Sequence, residues 1–322
     1  MSKRKLILSV SVVIAEILLV TAFPAQAAPR IKELPTPTPN SGPWGIAGGP
    51  DRNMWFTESS VNKIGRVTVS GVFTEFSVPT PNSGPQDIAS GADGNLWFTE
   101  SSSNKIGQVT TSGLFREFPI PTSGSWPYGI ASGSDDNLWF TEFLGNKIGR
   151  ITTAGIITEF PVPSPDSWPL GITAGPDGNL WFAEFNANKI GRVTTAGAFT
   201  EFPVPTSGGA PWGIAAGPDG NLWFTEQEGD KIGRVTISGV FDEFPVPTPD
   251  SLPTGIAVGP DRSLWFTEYQ GNKIGRVTTG AAFKELAIPT PDSIPRDIAA
   301  GPRKTVWFTE QLGSKIGVIR LP

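Results

Sequence analysis

The chain has no histidine and no cysteine in 322 residues, and only two tyrosines and two methionines. Each absence removes chemistry. Without cysteine there are no disulfides, no thiolate nucleophile and no lipid-modified cysteine of the bacterial lipoprotein kind. Without histidine there is no imidazole to exchange a proton near neutral pH, and no imidazole metal ligand. No phosphate-cradling loop or nucleophile elbow occurs. There is no run of basic residues outside the first few positions, which argues against nucleic acid as a partner. The groups left for acid–base work are Asp, Glu, Lys, Tyr128 and Tyr269.

The first residues read as an export signal. Lys3, Arg4 and Lys5 precede an apolar run from Leu6 to Phe23, and Ala25-Gln26-Ala27 is a small-residue cleavage site. A signal peptide over 1–28 is expected, with a secreted, periplasmic or cell-surface product that does not insert stably in a membrane. Glu16 interrupts the apolar run, so an uncleaved membrane anchor is the alternative. Removing Lys3, Arg4, Lys5 and Glu16 from 25 basic and 30 acidic residues leaves 22 and 29, a balance of −7. A monomer is expected.

What is present is a repeat. Trp-Phe-Thr-Glu starts at Trp55, Trp97, Trp139, Trp181, Trp223, Trp265 and Trp307, each 42 residues after the last, with Ala183 replacing Thr once. Lys-Ile-Gly follows at constant phase from Lys63 to Lys315. A strict period near 40–45 residues, rich in Gly, Trp and β-branched residues, predicts an all-β propeller of seven four-stranded antiparallel blades. Residues 29–322 number 294, or seven times 42, so one propeller domain fills that span.

One repeat predicts one blade. In the second, Asp87-Ile88-Ala89 reads as the inner strand, Leu96 to Glu100 as the second, Asn104 to Thr110 as the third and Phe115 to Pro121 as the fourth. Asp-Gly and Ser-Gly supply the positive φ of the turns. Trp97 and Phe98 are adjacent, so large apolar groups point to both faces, as stacked blades require. A turn near Ser112 would set Gln108 against Glu117 and Gly107 against Phe118. The same register would pair Arg66 with Glu75 and Arg150 with Glu159, each pair contributing roughly 0.2–1 kcal/mol. Gly107 leaves room for an aromatic ring. Glu33-Leu34 matches a fourth strand without its first three, and the last repeat has three strands without a fourth. The segment Ile31–Pro35 should therefore complete the seventh blade and remove open edges.

The unit Gly-Pro-Trp-Gly-Ile-Ala…Gly-Pro-Asp-Gly-Asn-Leu-Trp-Phe-Thr-Glu…Asp-Lys-Ile-Gly-Arg-Val-Thr, most of which residues 210–236 carry, resembles the repeats of the streptogramin B (virginiamycin B) lyases. The resemblance covers all seven repeats. It implies a seven-bladed propeller and, in active members, Mg²⁺-assisted elimination that opens cyclic depsipeptide antibiotics at their ester. It also implies histidines in the inner-strand motifs of the last two blades, where this chain has Thr254 and Arg296. Of two glutamates that the resemblance implies, Ile294 stands at the first and Gln311 at the second, with Glu310 one residue away. Arg does not release its proton and Thr is no base unaided. The expectation is a binding protein without the histidine-dependent activity, needing no cofactor. The alternatives are an active C–O lyase that uses Mg²⁺ and a substitute base (Glu310, Tyr269 or Asp297), a carboxylate- and metal-dependent lactonase-like hydrolase, and a purely structural exported protein.

Ligands of propellers usually meet one end of the central channel. At that end the inner-strand motif varies from blade to blade: Trp44, Gln86-Asp87, Tyr128, Leu170, Trp212, Thr254 and Arg296-Asp297. The residue after the repeated Glu varies too, including Phe143, Phe185, Tyr269 and Gln311, and Trp126 and Trp168 precede the motif's Pro. Blades three to five should form an aromatic sector of Trp126, Tyr128, Phe143, Trp168, Phe185 and Trp212. Blades seven to two should form a polar one of Gln86, Asp87, Arg296, Asp297 and Gln311. Such a rim suits a small molecule, cyclic peptide or glycan. The bland reading makes the aromatics a plug and Asp87, Arg296 and Asp297 a salt-bridge cluster. The seven repeated glutamates, Glu58 to Glu310, are expected to pair with the Lys five residues on rather than to bind metal. Asp93, Asp177 and Asp219 are expected to form turns.

Overall fold

The computed structural model describes residues 30–322, and the export signal expected at 1–28 lies outside them. The described residues form seven four-stranded antiparallel sheets, six of which run from the channel outward in chain order. In the second blade the strands are Pro85–Ser90, Leu96–Glu100, Lys105–Val109 and Phe115–Pro119. The seventh blade takes Pro295–Gly301, Thr305–Glu310 and Lys315–Arg320 and borrows Ile31–Pro35 as its outer strand. Ile31 pairs with Ile319 and Pro35 with Lys315, so the ring closes as the truncated end repeats require.

The second strands are buried at every position, and the fourth strands are partly exposed. The core accordingly lies between blades. Trp55 and Ile64 of blade one pack with Ile88, Leu96, Phe98 and Val109 of blade two. At the closing seam Ile46, Met54 and Phe56 meet Trp307 and Ile316. All seven repeat tryptophans are at most 1% exposed. In six blades the indole N–H donates to an Asp of the preceding turn, as Trp97 does to Asp93 at 3.1 Å. The turn aspartates therefore do more than shape a turn: each satisfies the one polar atom of a buried ring.

Two expectations about the ladders need correction. Gln108 faces Arg116 and Gly107 faces Glu117, one residue away from the expected register. Likewise Arg66 faces Thr74 and Arg150 faces Thr158. The cause is a five-residue turn: Thr110 donates to the Leu114 carbonyl, while its hydroxyl accepts from the Leu114 N–H. The space above Gly107 is filled by Phe98 of the second strand rather than Phe118, and a Cβ there would lie 2.1 Å from that ring. The arginines lie over aromatic rings instead, Arg66 at 5.5 Å from Trp55 and 5.8 Å from Phe76.

The second correction concerns the repeated glutamates. Glu58 does stand opposite Lys63 in the ladder, but the Lys63 ammonium turns outward to Glu75 at 2.7 Å and to Thr38. Glu58 is left fully buried, with neither carboxylate oxygen hydrogen-bonded. The same arrangement recurs around the ring, except that Glu100 accepts from Ser103.

Candidate functional site at the channel mouth

The mouth is shaped by a strained backbone position. The residue before the strand-initiating proline is left-handed in every blade: Gly42, Gly84, Trp126, Trp168, Ala210, Leu252 and Ile294 have φ between 48° and 62°. Side chains other than glycine disfavour this region, and a β-branched residue such as Ile294 disfavours it most. The carbonyl at this position accepts from the residue after the repeated Glu: Trp126 from Phe143 at 3.1 Å, Trp168 from Phe185 at 3.2 Å, Ile294 from Gln311 at 3.0 Å. One backbone hydrogen bond per blade thus ties the two mouth loops together and sets their variable side chains side by side.

The aromatic sector assembles as the sequence suggests. Phe143 lies 5.4 Å from Trp168, Phe185 lies 5.6 Å edge-on to Trp212, and Trp212 lies 5.8 Å edge-on to Tyr128. Trp126, Tyr128, Phe143, Trp168, Phe185 and Trp212, with Leu170, line an apolar hollow of about 140 Å³. Trp126 is 40% exposed and Trp168 37%, so their faces are open to solvent. Leu170 was not among the expected site residues. Its signal was its place in the variable motif, between Tyr128 and Trp212 in the blade sequence.

The polar sector assembles differently. Arg296 pairs with neither Asp87 nor Asp297. Its guanidinium lies 4.1 Å from the Trp44 ring centre and 4.4 Å from that of Tyr269, and its Nε donates to Gln311 at 2.7 Å. In place of the salt-bridge cluster of the bland reading, the structure holds this cation between aromatic faces. Trp44 also meets Tyr128 edge-on at 6.3 Å, so the aromatic arc continues to the arginine and the two sectors are not separate. Burial lowers the Arg296 pKa. Thr254 is fully buried beneath it, bonded to Thr267 at 2.9 Å and to the Arg296 carbonyl at 3.1 Å. Gln86 takes no part in this arrangement: its side-chain oxygen is buried without a partner.

Asp87 and Asp297 stand deeper, in an axial cavity of about 180 Å³ shared with Trp44, Tyr128, Trp212 and Arg296. Each replaces a glycine that other blades use there. Each carboxylate accepts two backbone N–H bonds: Asp87 from Ile88 and Ile130, both at 2.8 Å, and Asp297 from Ile298 at 2.8 Å and Ile46 at 2.9 Å. They tie strands of adjacent blades together at the axis. Burial raises both pKa values, and the charge of Asp297 raises that of Asp87 further, so the two titrate as a pair that resists double ionisation. Burial also raises the Tyr128 phenol, which stays neutral. Glu310, one residue before Gln311, is pushed up to about 8 by burial and the Glu33 charge.

Known proteins place this geometry in a family. The model of the virginiamycin B lyase family matches residues 25–166 and 136–321. The chain is similar to a solved streptogramin B lyase, at 41% identity and a TM-score of 0.87 over 91% of this chain and 98% of that one. It is equally similar to virginiamycin B lyase from Staphylococcus aureus, at 41% identity and TM-score 0.87, covering 92% of this chain and all of that one. A catalytically inactive histidine-to-alanine form of that Staphylococcus aureus enzyme, solved with quinupristin, matches at 40% identity and TM-score 0.88 over the same shares of both chains. With the family model spanning nearly all the described residues and the seven-bladed ring matching throughout, the chain belongs to the virginiamycin B lyase family.

Proposed function

We propose that this chain is an exported, ligand-binding member of its family that does not carry out histidine-dependent elimination. The ligand is a molecule bearing aromatic groups, with a cyclic peptide the first choice and a glycan or other small molecule the second. The observation that carries the reading is the continuous aromatic arc from Trp126 to Trp212, joined through Tyr128 and Trp44 to Arg296, in a chain that has no histidine. Aromatic rings supply contact area at low entropic cost, and the guanidinium edge offers a directional donor. The relative whose histidine was replaced by alanine is described as inactive and was solved with quinupristin, which fits a binding surface that outlasts catalysis.

The residues in the axial cavity do not fit a Mg²⁺ ion held by protein side chains. Asp87 and Asp297 are each committed to two N–H donors and share the cavity with a guanidinium, and the described residues offer no group of three carboxylates.

The test is a titration of Trp fluorescence with quinupristin, followed by incubation with Mg²⁺ and mass spectrometry for the linear product. A saturable fluorescence change without product is expected. Product would favour the second reading, an elimination in which a carboxyl of raised pKa serves as base. All seven repeated glutamates are raised toward neutral pH by burial, and of the carboxyls so raised Glu310, beside Gln311, and the Asp87–Asp297 pair in the axial cavity are the candidates. In that case Glu310→Gln or Asp297→Asn should abolish the product. Neither a fluorescence change nor product would leave the structural role.

A further inference from the structure

On the face opposite the mouth the seventh blade carries basic residues where the other blades are acidic or neutral. Where six blades place an Asp to accept from the buried indole, this blade has Arg303, and Trp307 donates to Thr305 at 2.7 Å instead. Where the other blades join third strand to fourth by a neutral turn, such as Thr68–Val72, this blade brings two separate chain segments together. The ladder pairs Ile31 with Ile319 and Lys32 with Val318, so the next step of the register sets Arg30 against Arg320.

Arg30, Lys32 and Arg320 line a pocket of about 320 Å³ together with Leu34, Thr305, Trp307 and Val318 and with Val69 and Gly71 of blade one. The lysines of the repeated Lys-Ile-Gly motif are each paired to a glutamate. The three seam cations have no carboxylate within ion-pair distance among the described residues, in a chain whose net charge is −5. Like charges set opposite each other in a ladder repel, and here they do so at the joint that closes the ring.

We propose that this seam is a binding site for the phosphate group of an organic phosphate ester. Two guanidinium forks and an ammonium line one pocket, and together they offer the donors and the positive charge that a phosphate needs. The apolar part of the lining takes the organic group. Because Arg30 and Arg320 belong to the two segments that close the ring, the ligand is coupled to closure: it neutralises their repulsion and binds only the closed form.

The experiment is calorimetric and thermal titration of the full chain with phenyl phosphate at low salt, alongside inorganic phosphate. Phenyl phosphate should bind saturably, more tightly than inorganic phosphate, and raise the melting temperature by several degrees. The double variant Arg30→Gln/Arg320→Gln should lose at least tenfold in affinity and the whole thermal shift, and Lys32→Gln should lose part of each. Without ligand, Arg320→Gln should melt no lower than the parent, since it relieves repulsion. Vesicles of phosphatidylglycerol and of phosphatidylcholine distinguish the source of the phosphate. Binding to the anionic vesicles that falls in the double variant assigns a lipid headgroup. Phenyl phosphate binding without variant-dependent vesicle binding assigns a soluble ester. Equal behaviour of parent and variants toward every probe, or a marked destabilisation by Arg320→Gln alone, overturns the proposal.

Discussion

At the residue scale the most informative positions are the two open tryptophans. Trp126 and Trp168 hold φ values of 54° and 51° while presenting large apolar faces to water. Neither property helps the fold. A left-handed conformation costs roughly 1–2 kcal/mol for a residue with a Cβ, and blades one and two use glycine at the same place. Trp126→Gly is therefore expected to leave stability unchanged or to raise it by about 1 kcal/mol, measured by urea denaturation. The same variant should weaken quinupristin binding at least tenfold in a fluorescence titration. A plug would behave in the opposite way, losing stability with no change in binding. Strain retained at an exposed aromatic position is a mark of a binding site rather than of packing.

Arg296 makes the same point from the polar side. The sequence shows an arginine flanked by acidic candidates, and the natural expectation is a salt bridge. The structure gives each aspartate to the backbone amides of two strands, and the arginine to Trp44, Tyr269 and Gln311. The repeat phase could show which blade each group belongs to and that they share the mouth. It could not show depth along the channel. Asp87 and Asp297 sit one residue further along the strand than Gln86 and Arg296, and alternation in a strand separates them. Arg296→Ala should lower quinupristin affinity while leaving the melting temperature within a few degrees, since the buried pairing that ties the blades runs through the aspartates.

At the element scale, strand identity and blade order were legible because the 42-residue period is unbroken. Register was not, because a turn of five residues and one of four differ by a single position, and that position exchanges the partners of every side chain beyond it. The repeated glutamates escaped the sequence for a different reason, since they do face their lysines in the ladder. Their lysines leave them for a glutamate of the outer strand, and burial then dominates. Glu142 is pushed up to about 8 by burial and by the Glu159 charge, from 4.5, whereas Glu159 is held low: burial raises it, but hydrogen bonds from Thr122 and Lys147 outweigh that. The folded state therefore binds the proton of Glu142 more tightly than the unfolded chain does. Its contribution is fully present below about pH 4.5 and is lost as pH rises through about 8. Thermal melts between pH 5 and 9 should show stability falling toward alkaline pH. Glu142→Gln should flatten that slope by up to one proton, about 1.4 kcal/mol per pH unit in the titrating range, and should melt higher than the parent at pH 9. A parent protein whose stability rises from pH 6 to 9 would sink this account.

At the scale of the whole molecule the decisive joint is the one between the two ends of the described chain. Six blades are each made from one continuous stretch, and their cores lie between neighbours, so every blade depends on two others. Blade seven depends in addition on Ile31–Pro35, whose Leu34 packs against the Ile46–Trp307 cluster and whose Glu33 accepts from Lys315 and from the Thr290 N–H. Leu34→Asp places a charge in that cluster and should act on the ring rather than on one strand. Opening the seam exposes the third strand of blade seven along its length and uncovers the faces of blades one and seven together. The expected outcome is a single cooperative transition at a melting temperature lower by more than ten degrees, with aggregation on heating, followed by light scattering. A loss confined to blade seven would instead appear as an early, separate transition while the remaining tryptophans stay buried. A circular permutant that joins the present ends and opens in a mouth loop of blade four should restore the parent melting temperature, because it keeps every ladder and only moves the break. Success of the permutant together with failure of Leu34→Asp would show that closure itself, and not the identity of the strand that closes, holds the mouth residues of all seven blades in one ring.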